Sequence, residues 1–174
     1  MKNGLISLLA GGLMLAAGSA WSDGTETLGP PSLSVASGTG VYANGTGMLN
    51  QPGNITLEVP AGATVKQVLL YWEGFMATDA PGDNTVTIAA AGGPGVSVVG
   101  TLIGGPTLFF NGAYASTFRA DITGLGLVSA GNTTLQVSDM VFTNVANGAG
   151  VVVIFDDGSS NANMIAMMAA RNTR

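Results

Sequence analysis

Short runs of β-branched and aromatic residues recur along this chain, cut by Gly, Pro, Asn and Asp at intervals of about 8–12 residues, a rhythm of strands and turns. The runs fall at 32–36, 40–44, 54–59, 64–73, 85–89, 96–103, 107–110, 133–138 and 150–155. Two of them differ from the rest. TVKQVLLYWE (64–73) becomes apolar on both faces from Val68 to Trp72, and VVVIF (151–155) is apolar throughout. A strand covered on both faces has no need to alternate, so both are predicted to lie mid-sheet. Ile55, Leu57 and Val59 alternate instead with Thr56 and Glu58, and Leu135 and Val137 alternate with Thr134, Gln136 and Ser138. That period of two predicts strands with one wet face. The helical candidates are residues 118–128, broken by Gly124 and Gly126, and 161–171, and neither carries a clear 3.6-residue stripe. The pattern predicts one all-β domain over 32–158, a two-sheet β-sandwich or jelly roll, with a short C-terminal helical tail.

The two ends read differently. Residues 1–20, MKNGLISLLAGGLMLAAGSA, combine Lys2, an apolar stretch from Leu5 to Ala17, and small residues at Gly18, Ser19 and Ala20. This is the layout of a secretory signal peptide, and it is too short and glycine-broken for a membrane span. Residues 21–31, WSDGTETLGPP, form a polar, turn-rich lead-in. In the tail, 159–174, the strand rhythm stops and three of the chain's eight methionines stand at 164, 167 and 168. Either a short helix lays Ile165, Met168 and Ala169 on the body, or the tail stands where sheet-closing strands are missing. In the second case the run 150–155 keeps an unpaired apolar edge. Residues 32–35 then offer a donor strand, and the protein self-associates by strand addition.

In order along the chain, VKQVLLYWEG (65–74), GDNTVTIA (82–89), TLIGG (101–105), YASTFRADITGL (114–125), GNTTLQVSD (131–139) and GAGVVVIFDDGS (148–159) resemble secreted bacterial β-domains of uncharacterised function. Such domains occur in surface and cell-wall-associated proteins, often upstream of C-terminal sorting anchors. The resemblance implies a β-sandwich and a surface setting and carries no catalytic signature. Relatives of that kind continue past the turn matched by Asp157-Gly158, where this chain runs into its methionine-rich end.

Composition narrows the chemistry. The 174 residues include no His and no Cys, which excludes Ser-His-Asp and Cys-His catalysis, the usual zinc sites and structural disulfides. Ten acidic residues against five basic ones, a net charge of −5, argue against nucleic acid and anionic membrane surfaces as partners. Carboxylates are the remaining candidates. Asp79 and Asp83 in one loop, and Asp156 and Asp157 in another, are the weak calcium candidates. Neither loop has the spaced acidic pattern of a calcium loop, and Asp, Asn and Gly are also what a tight turn selects. No other cofactor is indicated. Arg119 stands among apolar neighbours and is expected to form a structural ion pair with Asp121, Glu73 or Asp156, or else to clamp a carboxylate or sugar acid. Lys66 reads as an exposed strand lysine, and Gly92-Gly93-Pro94-Gly95 lacks the Lys-Ser/Thr and the helix of a phosphate loop.

Two functions from different classes fit. The first is an exported structural or adhesive surface module, without catalysis. The alternative is a carbohydrate-binding module, which needs a flat β-face bearing exposed aromatics. Trp21, Tyr42, Phe75, Tyr114 and Phe142 are its candidates, and two or more exposed on one face would favour it. The N-terminal pattern predicts export with cleavage after Ala20. N-terminal sequencing of the exported product is expected to begin at Trp21, and a product beginning at Met1 would refute the assignment.

Overall fold

The structure, a computed structural model, describes residues 32–109 and 112–159. The expected signal peptide (1–20), the expected lead-in and the tail beyond Ser159 lie outside the described residues, and so does the expected tail helix. Nine strands follow one another: β1 (Gly40–Gly47), β2 (Gly53–Val59), β3 (Thr64–Met76), β4 (Thr85–Ala90), β5 (Val96–Val99), β6 (Thr101–Leu108), β7 (Tyr114–Asp121), β8 (Gly131–Ser138) and β9 (Val145–Asp156). They form a five-stranded sheet in the order β1-β9-β3-β7-β6 and a four-stranded sheet in the order β2-β8-β4-β5. All pairings are antiparallel.

The pairings nest. β1 pairs with β9, β2 with β8, β3 with β7 and β4 with β5, as if one long hairpin had been rolled up. Contacts of β9 with β3 and of β8 with β4 then close each sheet. This is the wiring of a jelly-roll sandwich, with β6 added at one edge. As the sequence predicts, β3 and β9 lie inside the five-stranded sheet, and β2 and β8 bury alternate residues.

Inward-facing side chains of the two sheets make a single core. Val68, Leu70 and Trp72 from β3 meet Ile55 and Leu57 from β2, Val86 and Ile88 from β4, and Leu135 and Val137 from β8. Trp72 is 1% exposed and stacks on Phe118 of β7, ring centroids 5.7 Å apart. Its indole N–H donates to the Asp83 carbonyl at 3.1 Å, which satisfies the one polar group that burial would otherwise strand. Gly100 joins β5 to β6 directly against this ring, where a Cβ would collide with the indole. At one end Phe142 packs on Phe118 and under Gly74, whose Cβ would enter the Phe142 ring.

Several expectations are corrected. Residues 118–128 are not a helix: β7 runs to Asp121, and a single 3-10 turn, Thr123–Leu125, follows. Ser116, Phe118 and Ala120 point inward while Thr117 and Arg119 point outward, a period of two. The run 96–103 is two strands in different sheets, split at Gly100. Residues 32–36 form no ladder strand. They cross the outer face of the five-stranded sheet, where buried Gln67 accepts from the Ala36 N–H and donates to the Ser34 carbonyl. The run 150–155 has no free edge, because β9 is flanked by β1 and β3. Strand exchange through that edge with 32–35 as donor therefore has neither an open acceptor nor a loose donor.

Trp72→Ala removes the largest buried side chain and leaves Phe118 without its stacking partner. It is expected to cost about 3–5 kcal/mol in denaturant unfolding; an unchanged midpoint would show the β3 register to be wrong.

Candidate functional site

From Asn84 to Phe118 the chain carries no charged residue. This stretch supplies β5 and β6, edge strands of different sheets that the chain joins at Gly100. Their exposed side chains are uncharged, with Ser97, Thr101 and Thr107 standing among apolar residues. Val99 is 68% exposed, Leu108 59% and Phe109 62%, and Leu102 and Ile103 are also exposed. Phe109 stacks on Phe75 of β3, centroids 5.4 Å apart. Edge strands are ordinarily protected by charges, prolines or bulges. β6 has such protection in Pro106 and in two irregularities in its register against β7, the first of them at Ile103, while Thr101, Leu102 and the four-residue β5 carry neither charge nor proline. The opposite side of the sandwich is closed differently, by the Asn44 side chain donating from β1 to the Thr56 carbonyl of β2 at 2.8 Å.

Beside this edge lies a notch of about 320 Å³, bounded by Leu33, Val98, Val99, Thr101, Arg119 and Asp121. The ladder of β6 against β7 begins at Thr101 opposite Arg119, so Ala120 and Asp121 have no ladder partner on that side. A second, shallower depression of about 240 Å³ lies on the outer face of the five-stranded sheet. There Tyr71, Glu73, Thr117 and Asn147 surround the glycines at 148 and 150.

The ion pair expected of Arg119 with Asp121, Glu73 or Asp156 is not formed among the described residues. Arg119 donates instead to the Ser32 hydroxyl at 3.0 Å. Asp121 accepts from Gln67 Nε2 at 2.8 Å, and from the Thr123 N–H and hydroxyl. Burial pushes its carboxyl up, but the bonds from Gln67 and Thr123 outweigh this and hold it below the ordinary 3.8. Glu73 accepts from Asn147 at 3.4 Å.

The calcium candidates serve turns. Asp79 is exposed in the β3–β4 loop. Asp83 accepts from the Thr85 N–H with one oxygen and the Val141 N–H with the other, both at 3.0 Å, tying that loop to the chain after β8. Asp156 caps the Gly158 N–H, and Asp157 accepts from the Thr39 hydroxyl at 2.7 Å and the Ser159 N–H at 2.9 Å. Among the described residues no three acidic groups converge as a metal site would require. The aromatic candidates scatter: Tyr42 and Phe142 pack against the core, Phe75 lies under Phe109, Tyr114 is half-buried, and Trp21 lies outside the described residues.

Sequence reasoning missed the apolar β5–β6 edge and the Ser32 partner of Arg119. The 35-residue gap between Asp83 and Arg119 was the available signal for the edge; Ser32 carried none, since only the fold brings it across β7. No family model matches the chain, and no curated protein matches it. Among the described residues no helix is long and apolar enough to cross a membrane.

Hydrogen bonds from Thr39, then from Ser159, lower the Asp157 carboxyl from 3.8 to about 2. The stability contributed by the ionised form is therefore complete above 3.8 and lost as pH falls through about 2. An NMR titration is expected to find the Asp157 midpoint near 2, and Thr39→Val should return it toward 3.8. An unmoved midpoint in Thr39→Val would show that the hydroxyl does not set it.

Proposed function

We propose that this protein is an exported, non-catalytic surface module that acts by contact, and that its contact surface is the β5–β6 edge, where a second copy adds strand to strand. The observation that carries this reading is the uncharged edge itself, where Thr101–Ile103 have no ladder partner on the side away from β7 and Val99, Leu102 and Ile103 are exposed. The net charge of −5 makes copies repel wherever their acidic residues face each other. Between Asn84 and Phe118 nothing repels, and apolar burial adds to main-chain pairing. Two copies meeting edge to edge about a two-fold axis give each β6 the same antiparallel partner.

The absence of His and Cys, and the engagement of Asp83, Asp156 and Asp157 with backbone N–H groups, support a non-catalytic role. A signal-like N-terminus and the resemblance to secreted bacterial surface domains support export and a surface setting. The scattered aromatics, half-buried or packed on the core, favour contact through this edge over a glycan platform.

Sedimentation velocity over a concentration series is expected to show reversible dimerisation. Leu102→Lys combined with Ile103→Lys should abolish it while leaving the melting temperature nearly unchanged, since both residues are already exposed. A monomer at every concentration, or a lysine variant that dimerises like the parent, would refute the reading.

A further inference from the structure

The notch beside Arg119 has a chemistry distinct from that of the β6 edge. A guanidinium offers five N–H donors in a planar fork, and Arg119 spends one bond on Ser32. Lys66 and Arg119 are the only basic residues among the described ones, against eight acidic ones, yet Arg119 has no carboxylate partner among them. Asp121, two residues along the same face, is committed to Gln67 and Thr123, and Glu73 to Asn147. Thr101 adds a hydroxyl opposite Arg119 in the ladder, and Leu33, Val98 and Val99 supply a branched aliphatic wall.

We propose that this notch binds the terminal carboxylate of a peptide ending in a small aliphatic residue, with Arg119 as the carboxylate clamp. The fork matches a carboxylate with two parallel hydrogen bonds, which a half-buried Arg that has no carboxylate partner among the described residues leaves available. The aliphatic wall takes the last side chain. The peptide backbone behind it runs along Ala120 and Asp121, where β7 has no ladder partner on the β6 side. Two features select this ligand over other anions. The lining residues include no aromatic ring, so a sugar acid finds no stacking surface. Asp121 in the wall offsets the charge of Arg119, so the notch accepts a monoanion and disfavours a phosphate dianion.

The test titrates the purified chain with acetyl-Gly-Gly-Val, its carboxy-terminal amide, galacturonate and inorganic phosphate, following the Val98 and Val99 methyl and Arg119 side-chain NMR signals. The free acid is expected to saturate and shift these signals, with the amide at least about tenfold weaker. Arg119→Lys should weaken the acid by about tenfold and leave the amide unaffected, while the melting temperature of the variant reports that the fold is kept. Equal binding of acid and amide, tighter binding of galacturonate or phosphate, or no saturation by the acid would each overturn the proposal. The acid-to-amide contrast is independent of oligomeric state, so its failure is distinguishable from failure of the edge pairing. Repeating it on the Leu102→Lys, Ile103→Lys variant is expected to give the same contrast, and a contrast that vanishes there would overturn a site confined to the notch.

Discussion

Packing around Trp72 is the constraint on which the rest of the sandwich depends. One side chain on β3 stacks on Phe118 of the adjacent strand, fills the space between the sheets, and donates its N–H to the loop that leads into β4. The crossover from β5 to β6 passes over the same ring, and only glycine leaves room for it at position 100. A one-residue slip of β3 would turn Tyr71 inward and Trp72 out, and the β4 loop and the crossover would lose their seats together. The register of one strand is thus fixed by contacts that reach both sheets.

Where the pattern of apolar residues had one dominant cause, the fold was legible in it. β2 and β8 alternate because one face is wet, and β3 and β9 lose alternation because both faces are covered. The outer face of β3 and β9 is covered near Leu69 and Ile154, which are buried yet stand apart from the main core. Elsewhere causes overlapped. In β7, glycines just beyond the strand suggested a broken helix, while its period of two rests on small or mixed residues such as Ser116, Thr117 and Ala120. Position 100 carries no mark in sequence beyond being one glycine among 27, since its role comes from a ring 28 residues earlier. The centrality of β9 depends on β1, more than a hundred residues away, and no local pattern reports that pairing.

The acidic residues were legible as turn chemistry but not as partners. With so few cations, a carboxylate in this chain finds backbone N–H groups and hydroxyls more readily than an opposite charge. Asp83, Asp121, Asp156 and Asp157 all do so, and each ties a loop to a segment distant in sequence or to its own turn. Such bonds hold their geometry by direction rather than by long-range attraction, and salt screens them little. Because the carboxylates near it are taken up by neutral donors, Arg119 is left with a neutral hydroxyl as its partner.

The nested pairing also has a mechanical side. Because β1 lies against β9, the start of the first strand and the end of the last are tied together: the Thr39 N–H bonds the Phe155 carbonyl, and the Thr39 hydroxyl bonds Asp157. A tension applied between residues 39 and 157 would therefore pull the outermost rungs of one antiparallel ladder apart in turn, as a zipper opens, instead of loading many hydrogen bonds at once in shear. The rolled hairpin yields from its mouth inward, with Trp72 three nested pairs deep. Traction between the start of β1 and the end of β9 therefore meets one rung at a time before any deeper pair of the nest is loaded.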